Sequence, residues 1–249
     1  MRDYKLNELV RRAKGSTVIL PKIEESAKSK NEYIKALREM LRQLARKARD
    51  AKTQYDLSDL ANLAARLSVT AEGLVARILG LEASRHTATF KVTVVRTIGV
   101  DLSRVVLDED LGDYLQLASS RNASLIKNLG QDAANRMQQS VVNAWINGDS
   151  AKTLSAKLTE DFGIADRRAQ LIAQDQMAKL NSDMNRIRHE QAGVTEYIWR
   201  TSSDERVRPR HKALDGKTYR YGERTGAEDG LAPGQPIRCR CVAMAVVEF

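Results

Sequence analysis

The chain has 249 residues, of which 42% are hydrophobic and 29% charged. This composition excludes wholesale disorder and suits one large domain or two smaller ones. The 41 Lys and Arg outnumber 32 Asp and Glu, and the net charge of +9 favours an acidic partner, either nucleic acid or an acidic protein surface. No window approaches about 18 consecutive apolar residues, and residues 1–19 carry charges throughout with no apolar stretch. Neither a transmembrane helix nor a secretory signal is therefore expected. With Cys239 and Cys241 as the only cysteines, a disulfide framework is excluded and a reducing compartment is the expectation.

In chain order, residues 1–20 form a short basic arm with a weak helical pattern at Leu6, Leu9 and Val10, broken by Gly15, Ser16 and Pro21. It is expected to be mobile, docked or a tether to a partner. Over residues 31–51, Ile34, Leu37, Leu41, Leu44 and Ala48 make one apolar helical stripe, while Lys35, Arg38, Arg42, Arg46 and Arg49 lie off it. These five cations read either as a solvated face or as a contact for DNA or an acidic protein. The basic excess is concentrated at this end, since residues 1–60 hold 15 Lys and Arg against 9 Asp and Glu.

Two further helices are expected over 56–67 and 70–83, with Asp56 and Thr70 as N-caps. Their stripes would be Leu60, Leu63 and Leu67, then Leu74, Ile78 and Leu81. Residues 87–98 favour a strand by propensity and a helix by their neighbours; helix is the reading kept. Helices are expected over 108–117 and over 123–147, the latter with Ile126, Leu129, Ala133, Met137 and Val141 inward and Gly148 as the stop. Ser150 would cap a helix ended by Gly163. A long helix over 166–191 would carry Ala173, Met177, Leu180, Met184 and Ile187, with Gly193 stopping it.

The texture changes beyond Gly193. A strand at 195–201, a helical turn at 210–214, a turn at Asp215-Gly216, a Gly/Pro-rich loop over 222–236 and a last strand at 239–247 make a small module. Three of the four prolines lie beyond residue 208. The expected class is α+β: a mainly helical body with a small C-terminal α/β or β-rich module. Three segments follow, 1–84 (basic and helical), 85–193 (helical) and 194–249 (the module).

No Walker motif, GxGxxG, supported carboxylate pair, C2H2, RRM or KH pattern is present. His86 and His189 have no evident partners in sequence. His211, by contrast, shares the module with Cys239 and Cys241, and with Asp204 they form a chemically reasonable zinc set. Zinc chelates usually space their cysteines about two to four residues apart. An extended Cys239-Arg240-Cys241 is expected to hold the thiols apart, and a turn after Pro236 to bring them together. The alternative is a packed thiol with His211 hydrogen-bonded locally. A Cys/His nucleophile pair oriented by Asp204 or Asp215 lacks an oxyanion hole and a glycine elbow. The charge-dense run 204–211 is either a loop of local ion pairs or a set of arginine staples.

Trp199-Arg200-Thr201, Asp204-Glu205-Arg206-Val207-Arg208, His211, Leu214-Asp215-Gly216-Lys217, a Pro-rich loop and Cys239-Arg240-Cys241 together resemble the Mu F-like family of phage minor head proteins, also called head morphogenesis proteins of the SPP1 gp7 type. Residues 122–127, Gly148-Asp149-Ser150, Leu158, Phe162-Gly163 and 168–173 continue the resemblance, which spans roughly 85–249. Gln174-Asp175-Gln176 departs from the family's usual Arg-Thr-Glu run. The resemblance of residues 90–102 to a helical family segment decides the ambiguous stretch.

The resemblance implies a minor capsid protein inside the procapsid, assembled in the host cytoplasm and docked on the portal. Its implied partners are the portal protein, packaged double-stranded DNA, and scaffold or major capsid protein, with no membrane. It implies no catalytic residue and no cofactor, a structural zinc at His211, Cys239 and Cys241 being the open option. The alternatives are a sequence-independent DNA-binding protein acting in packaging or ejection, and a Cys/His or metal-dependent hydrolase.

Overall fold

The computed structural model describes residues 3–10 and 15–249. The basic residues Arg11, Arg12 and Lys14 of the N-terminal arm lie outside them. The fold is α+β, mainly helical with one four-stranded sheet. Its elements run α1 (Leu6–Leu9), β1 (Thr17–Ile19), α2 (Ala27–Asp50), α3 (Gln54–Ile98), α4 (Gly112–Asn147), α5 (Ala151–Gln191), β2 (Glu196–Arg200), α6 (Pro209–Lys212), β3 (Thr218–Arg220) and β4 (Val242–Glu248). Short 3-10 turns lie at Asp108–Leu111 and Glu228–Gly230. No helix of the described residues is long and apolar enough to cross a membrane.

Two compact units divide the chain, and neither is contiguous. One gathers the residues up to Ser26, Gly80–Leu115 and Asp175–Phe249; the other gathers Ala27–Leu79 and Gln116–Gln174.

The second unit is four helical segments. Leu37, Leu41, Leu44 and Ala48 of α2 are buried, as their period requires, together with Tyr33 and Met40. Ile126, Leu129, Ala133, Met137 and Val141 of α4 are buried as well. The Tyr33 hydroxyl donates to Asn122 Oδ1, and Asn122 Nδ2 donates to Ala118 O at 2.7 Å, so a buried amide is satisfied. A Cβ on Gly130 would stand 2.7 Å from Ser68 Oγ and 3.4 Å from Met40 Sδ, so only glycine lets these helices approach.

Four expected helix breaks are absent, two in α3 and one each in α4 and α5. Residues 54–98 form one helix, and Thr70 is not a cap but sits inside it, bonding back to Arg66 O. The cap is Thr53: its Oγ1 accepts from Asp56 N at 3.2 Å, and the Asp56 carboxylate accepts from Thr53 N at 2.9 Å, a reciprocal box. The expected stripe Leu74–Ile78–Leu81 is also corrected, since Leu74 and Leu81 are exposed and the inner face is Ala71, Val75, Ile78 and Leu79. Two separate helices before Asn147 become one α4 preceded by a 3-10 turn. Gly163 lies inside α5, where a glycine costs only about 1 kcal/mol, too little to stop a helix packed on both sides. Ser150 does cap α5, its Oγ accepting from Thr153 N at 3.1 Å, and Gly148 and Gly193 end their helices at φ of 66° and 75°.

In the first unit the strand order is β1-β4-β2-β3, antiparallel throughout. Tyr197 and Trp199 of β2 share a buried face with their partners Ala245 and Ala243 of β4. β1, which sequence reading placed in an arm without a strand, pairs Val18 with Val247. Phe90, Val94 and Ile98 of α3 join Leu6, Leu20, Ile23, Ala245 and Val247 in one apolar cluster. Their spacing of four explains why helix beats strand propensity here.

The Arg188 side chain is wholly buried, and its four bonds hold this unit together. Nη1 donates to Asp110 Oδ2 at 3.1 Å and to Gln191 Oε1 at 3.0 Å; Nη2 donates to Thr87 Oγ1 at 2.9 Å and to Leu107 O at 2.7 Å. His86 and His189, which lack evident partners in sequence, are buried beside Asn185 Oδ1 at 3.0 Å and Tyr221 Oη at 2.6 Å. Burial disfavours their charged forms and lowers them to about 4 and about 3.

Arg188→Ala is expected to cost about 3–5 kcal/mol, read as a fall in the urea midpoint, because Asp110 is left unpaired. The two histidines make stability fall with acid. Below the unfolded value near 6.5 the unfolded chain takes up protons that the fold refuses until about pH 4 and pH 3. Each is expected to contribute a loss of up to about 1.4 kcal/mol per pH unit in that window. A series of urea titrations from pH 7 to 4 checks this, and His189→Gln is expected to flatten the slope.

Candidate functional site

The residues that carry the sequence motif converge at the end of β2, α6 and the turn that leads into β4. Trp199 is fully buried and packs with Leu214, Ala227, Cys239 and Cys241, Tyr219 flanking them. Its ring meets that of His211 edge-on, with centroids 5.4 Å apart and planes at 77°. The Asp215-Gly216 turn is tied to β2: Gly216 N donates to Trp199 O at 2.8 Å, and Asp215 Oδ1 accepts from Thr201 N at 2.8 Å.

Arg200, Arg208, Arg210 and Arg240 act as staples, each spending its fork on a backbone carbonyl or a carboxylate of this module. Arg240 grips the Asp204 carboxylate with both Nη atoms, the Nη2–Oδ1 distance being 2.7 Å, and Asp204 also accepts from Arg206 N at 3.0 Å. The Arg240 bond is the main reason that Asp204 lies below the usual carboxylate range. Arg208 donates to Glu228 Oε1 at 2.9 Å and to Ile237 O. Arg210 reaches Gly226 O at 2.5 Å, and Arg200 reaches Asp215 Oδ2 at 3.3 Å.

His211, Cys239 and Cys241 are buried, and their donor atoms all lie within 4.8 Å of one another. His211 Nδ1 is 3.5 Å from each sulfur. The expectation that an extended Cys-x-Cys would separate the thiols is corrected: residues i and i+2 of extended chain share a face, and Arg240 between them points the other way, to Asp204. Asp204 is thereby removed from the zinc set proposed on sequence. The carboxylate beside the histidine is Glu228, whose Oε2 lies 2.6 Å from His211 Nε2. Sequence reading missed Glu228, because its place in a Gly/Pro-rich loop carries no pattern that points to residue 211.

Burial opposes the Glu228 charge, but the bond to His211 and the Arg208 charge outweigh it and bring the carboxyl down to about 2. The bond from the neighbouring thiol lowers Cys239 to about 6, against burial, and backbone N–H donation from Cys241 and Gly234 acts in the same direction. Cys241 is pushed the other way by the same shared proton and by burial.

Three residues other than glycine have left-handed backbone among those described, Ser203, Asp229 and Arg238, at φ of 57°, 54° and 59°. Each costs roughly 1 kcal/mol or more and each adjoins a residue of this module's polar framework: Asp204, Glu228 and Cys239.

The basic face of α2 is elsewhere, in the other unit. Arg38 is engaged by Asp166 through bonds of 2.5 and 3.0 Å, which lower the Asp166 carboxyl. Arg42 and Arg46 share Glu39 at 3.9 and 3.2 Å, while Lys35 and Arg49 are exposed. Arg42, Arg46 and Arg49 line an open groove of about 380 Å³ with Leu158 and Phe162.

Residues 135–244 match the family model described as Phage Mu protein F like protein, a span that includes the whole constellation from Trp199 to Cys241. A Haemophilus influenzae protein described only as uncharacterized is 30% identical over 196 residues, 78% of this chain. The chain spans 42% of that relative's length. No solved structure matches.

Trp199→Ala is expected to cost about 3–5 kcal/mol, because it empties the centre of a cluster too small to refill the space. With Trp145→Phe as background, Trp199 emission is expected to be blue-shifted and to move red only when the module unfolds; fluorescence during urea titration checks both.

Proposed function

We propose, from the match of residues 135–244 to the Phage Mu F-like family model, that the chain is a phage minor capsid (head morphogenesis) protein docked on the portal. The observation that carries this is the family match over the module that holds Trp199, His211 and the Cys239-Arg240-Cys241 segment. In this reading the protein works inside the head by contact rather than by turnover, and it assembles in the host cytoplasm.

Two surfaces of the helical unit supply contacts. Trp145 and Ile146 stand adjacent near the end of α4, 41% and 77% exposed, and offer a protein partner an apolar anchor. The groove lined by Arg42, Arg46 and Arg49 offers guanidinium groups to packaged DNA, with Lys35 on the same helix.

Co-purification with the portal protein of the same genome, at low and at high salt, tests the reading. A complex that survives high salt is expected, and Ile146→Asp is expected to weaken it. Charge reversal of Arg42, Arg46 and Arg49 together is expected to abolish salt-sensitive DNA retention and leave the portal complex intact. No complex at either salt, with DNA held at low salt, would replace portal docking by DNA binding as the function.

A further inference from the structure

We propose that His211, Cys239 and Cys241 bind one zinc ion, which ties α6 to the turn before β4 as a structural staple. The proposal goes beyond the head-protein reading and does not depend on it.

The spacing of the three donor atoms is that of zinc ligands. Zinc bonds of about 2.0 Å to nitrogen and about 2.3 Å to sulfur, at tetrahedral angles, set the nitrogen and each sulfur about 3.5 Å apart. His211 Nδ1 stands 3.5 Å from both sulfurs. A ring nitrogen has one lone pair or one hydrogen in the ring plane, so it cannot be well aligned with two thiols at once. A cation between the three atoms accepts from all of them.

The surroundings are arranged for that cation. Glu228 Oε2 at 2.6 Å takes the Nε2 hydrogen, which fixes the tautomer and turns the Nδ1 lone pair toward the sulfurs. Backbone N–H groups of Gly234 and Cys241 point at Cys239 Sγ from 3.4 and 3.5 Å, the donors a thiolate needs. The buried Trp199 indole N–H has no hydrogen-bond partner among the described residues, and it lies in the cluster that contains Cys241. A Cys241 thiolate would offer it an acceptor.

The fourth position is also visible. A cavity of about 20 Å³ is lined by the three donors with Ser202 and Arg206. That is room for one water and no substrate. Ser202 Oγ is buried there with no partner among the described residues, placed to accept from a zinc-bound water. Zinc needs both sulfurs as thiolates, and the ion with two thiolates and a neutral imidazole leaves the three-ligand site uncharged. Sulfur with one imidazole selects zinc over magnesium or calcium, which take oxygen. The three strained residues beside Ser202, Glu228 and Cys239 are the backbone's contribution to the same convergence.

The full chain, expressed with zinc in the medium, is expected to carry about one zinc per chain by elemental analysis. Replacement by cobalt(II) is expected to give thiolate charge-transfer absorption and tetrahedral visible bands. A chelator is expected to lower Tm, with recovery on adding zinc and none on adding magnesium. Cys241→Ser and His211→Ala, each checked for helix content by circular dichroism, are expected to lose the metal and the chelator response together. Asp204→Asn, which alters an arginine staple only, is expected to keep the metal. Metal-free protein whose Tm ignores both chelator and zinc would overturn the proposal. Zinc retained undiminished in both ligand variants would overturn it too, since the ion would then sit elsewhere.

Discussion

A guanidinium with no access to water must find its partners inside the fold, and Arg188 draws those of both Nη groups from three pieces of chain, its Nε having none among the described residues. Thr87 ties the C-terminal half of α3 to α5. Leu107 O and Asp110 require the segment after α3 to fold back over α5. Gln191 fixes the last turn of α5. The Arg188 carbonyl accepts from the Tyr4 hydroxyl at 3.4 Å, which brings the N-terminal residues to the same place. A charge so buried is strongly destabilising if any partner is missing, so these segments take one arrangement together or not at all.

Polar staples also govern the small module, for a different reason. The cluster around Trp199 holds five buried residues, too few to order the loops around it by burial alone. Arginine forks to Asp204, Asp215, Glu228, Gly226 and Ile237 close the loops instead, and left-handed backbone at Ser203, Asp229 and Arg238 bends them to fit. The density of Arg and Asp in the run 204–215 is therefore structural: it is how a loop-rich segment becomes a rigid holder for His211 and the two thiols. The family match over 135–244 covers this holder together with the helices that lead into it.

Much of the helical body was legible. The inward residues of α2, α4 and the C-terminal half of α5 follow the period of 3.6 and are buried where it puts them, except Ile34 of α2, which is half-buried. What failed was punctuation. Thr70 and Gly163 carry the local chemistry of helix ends, yet packing on either side is worth more than the fraction of a kilocalorie, or about 1 kcal/mol, that they withhold. β1 was not legible, because three residues gain strand character only when a distant edge, β4, is present to pair with them.

From sequence alone came the helical class, the small mixed module, the Mu F-like resemblance and the suspicion attached to His211, Cys239 and Cys241. These depend on local period and on the order of residue types, which a single chain displays directly. The tertiary structure alone decided that both thiols face one imidazole, that Glu228 rather than Asp204 stands beside it, that Arg38 is spent on Asp166, and that Arg188 is buried. Each of these is a pairing between residues far apart in the chain, and no local propensity encodes which distant partner will satisfy a buried charge or share a proton.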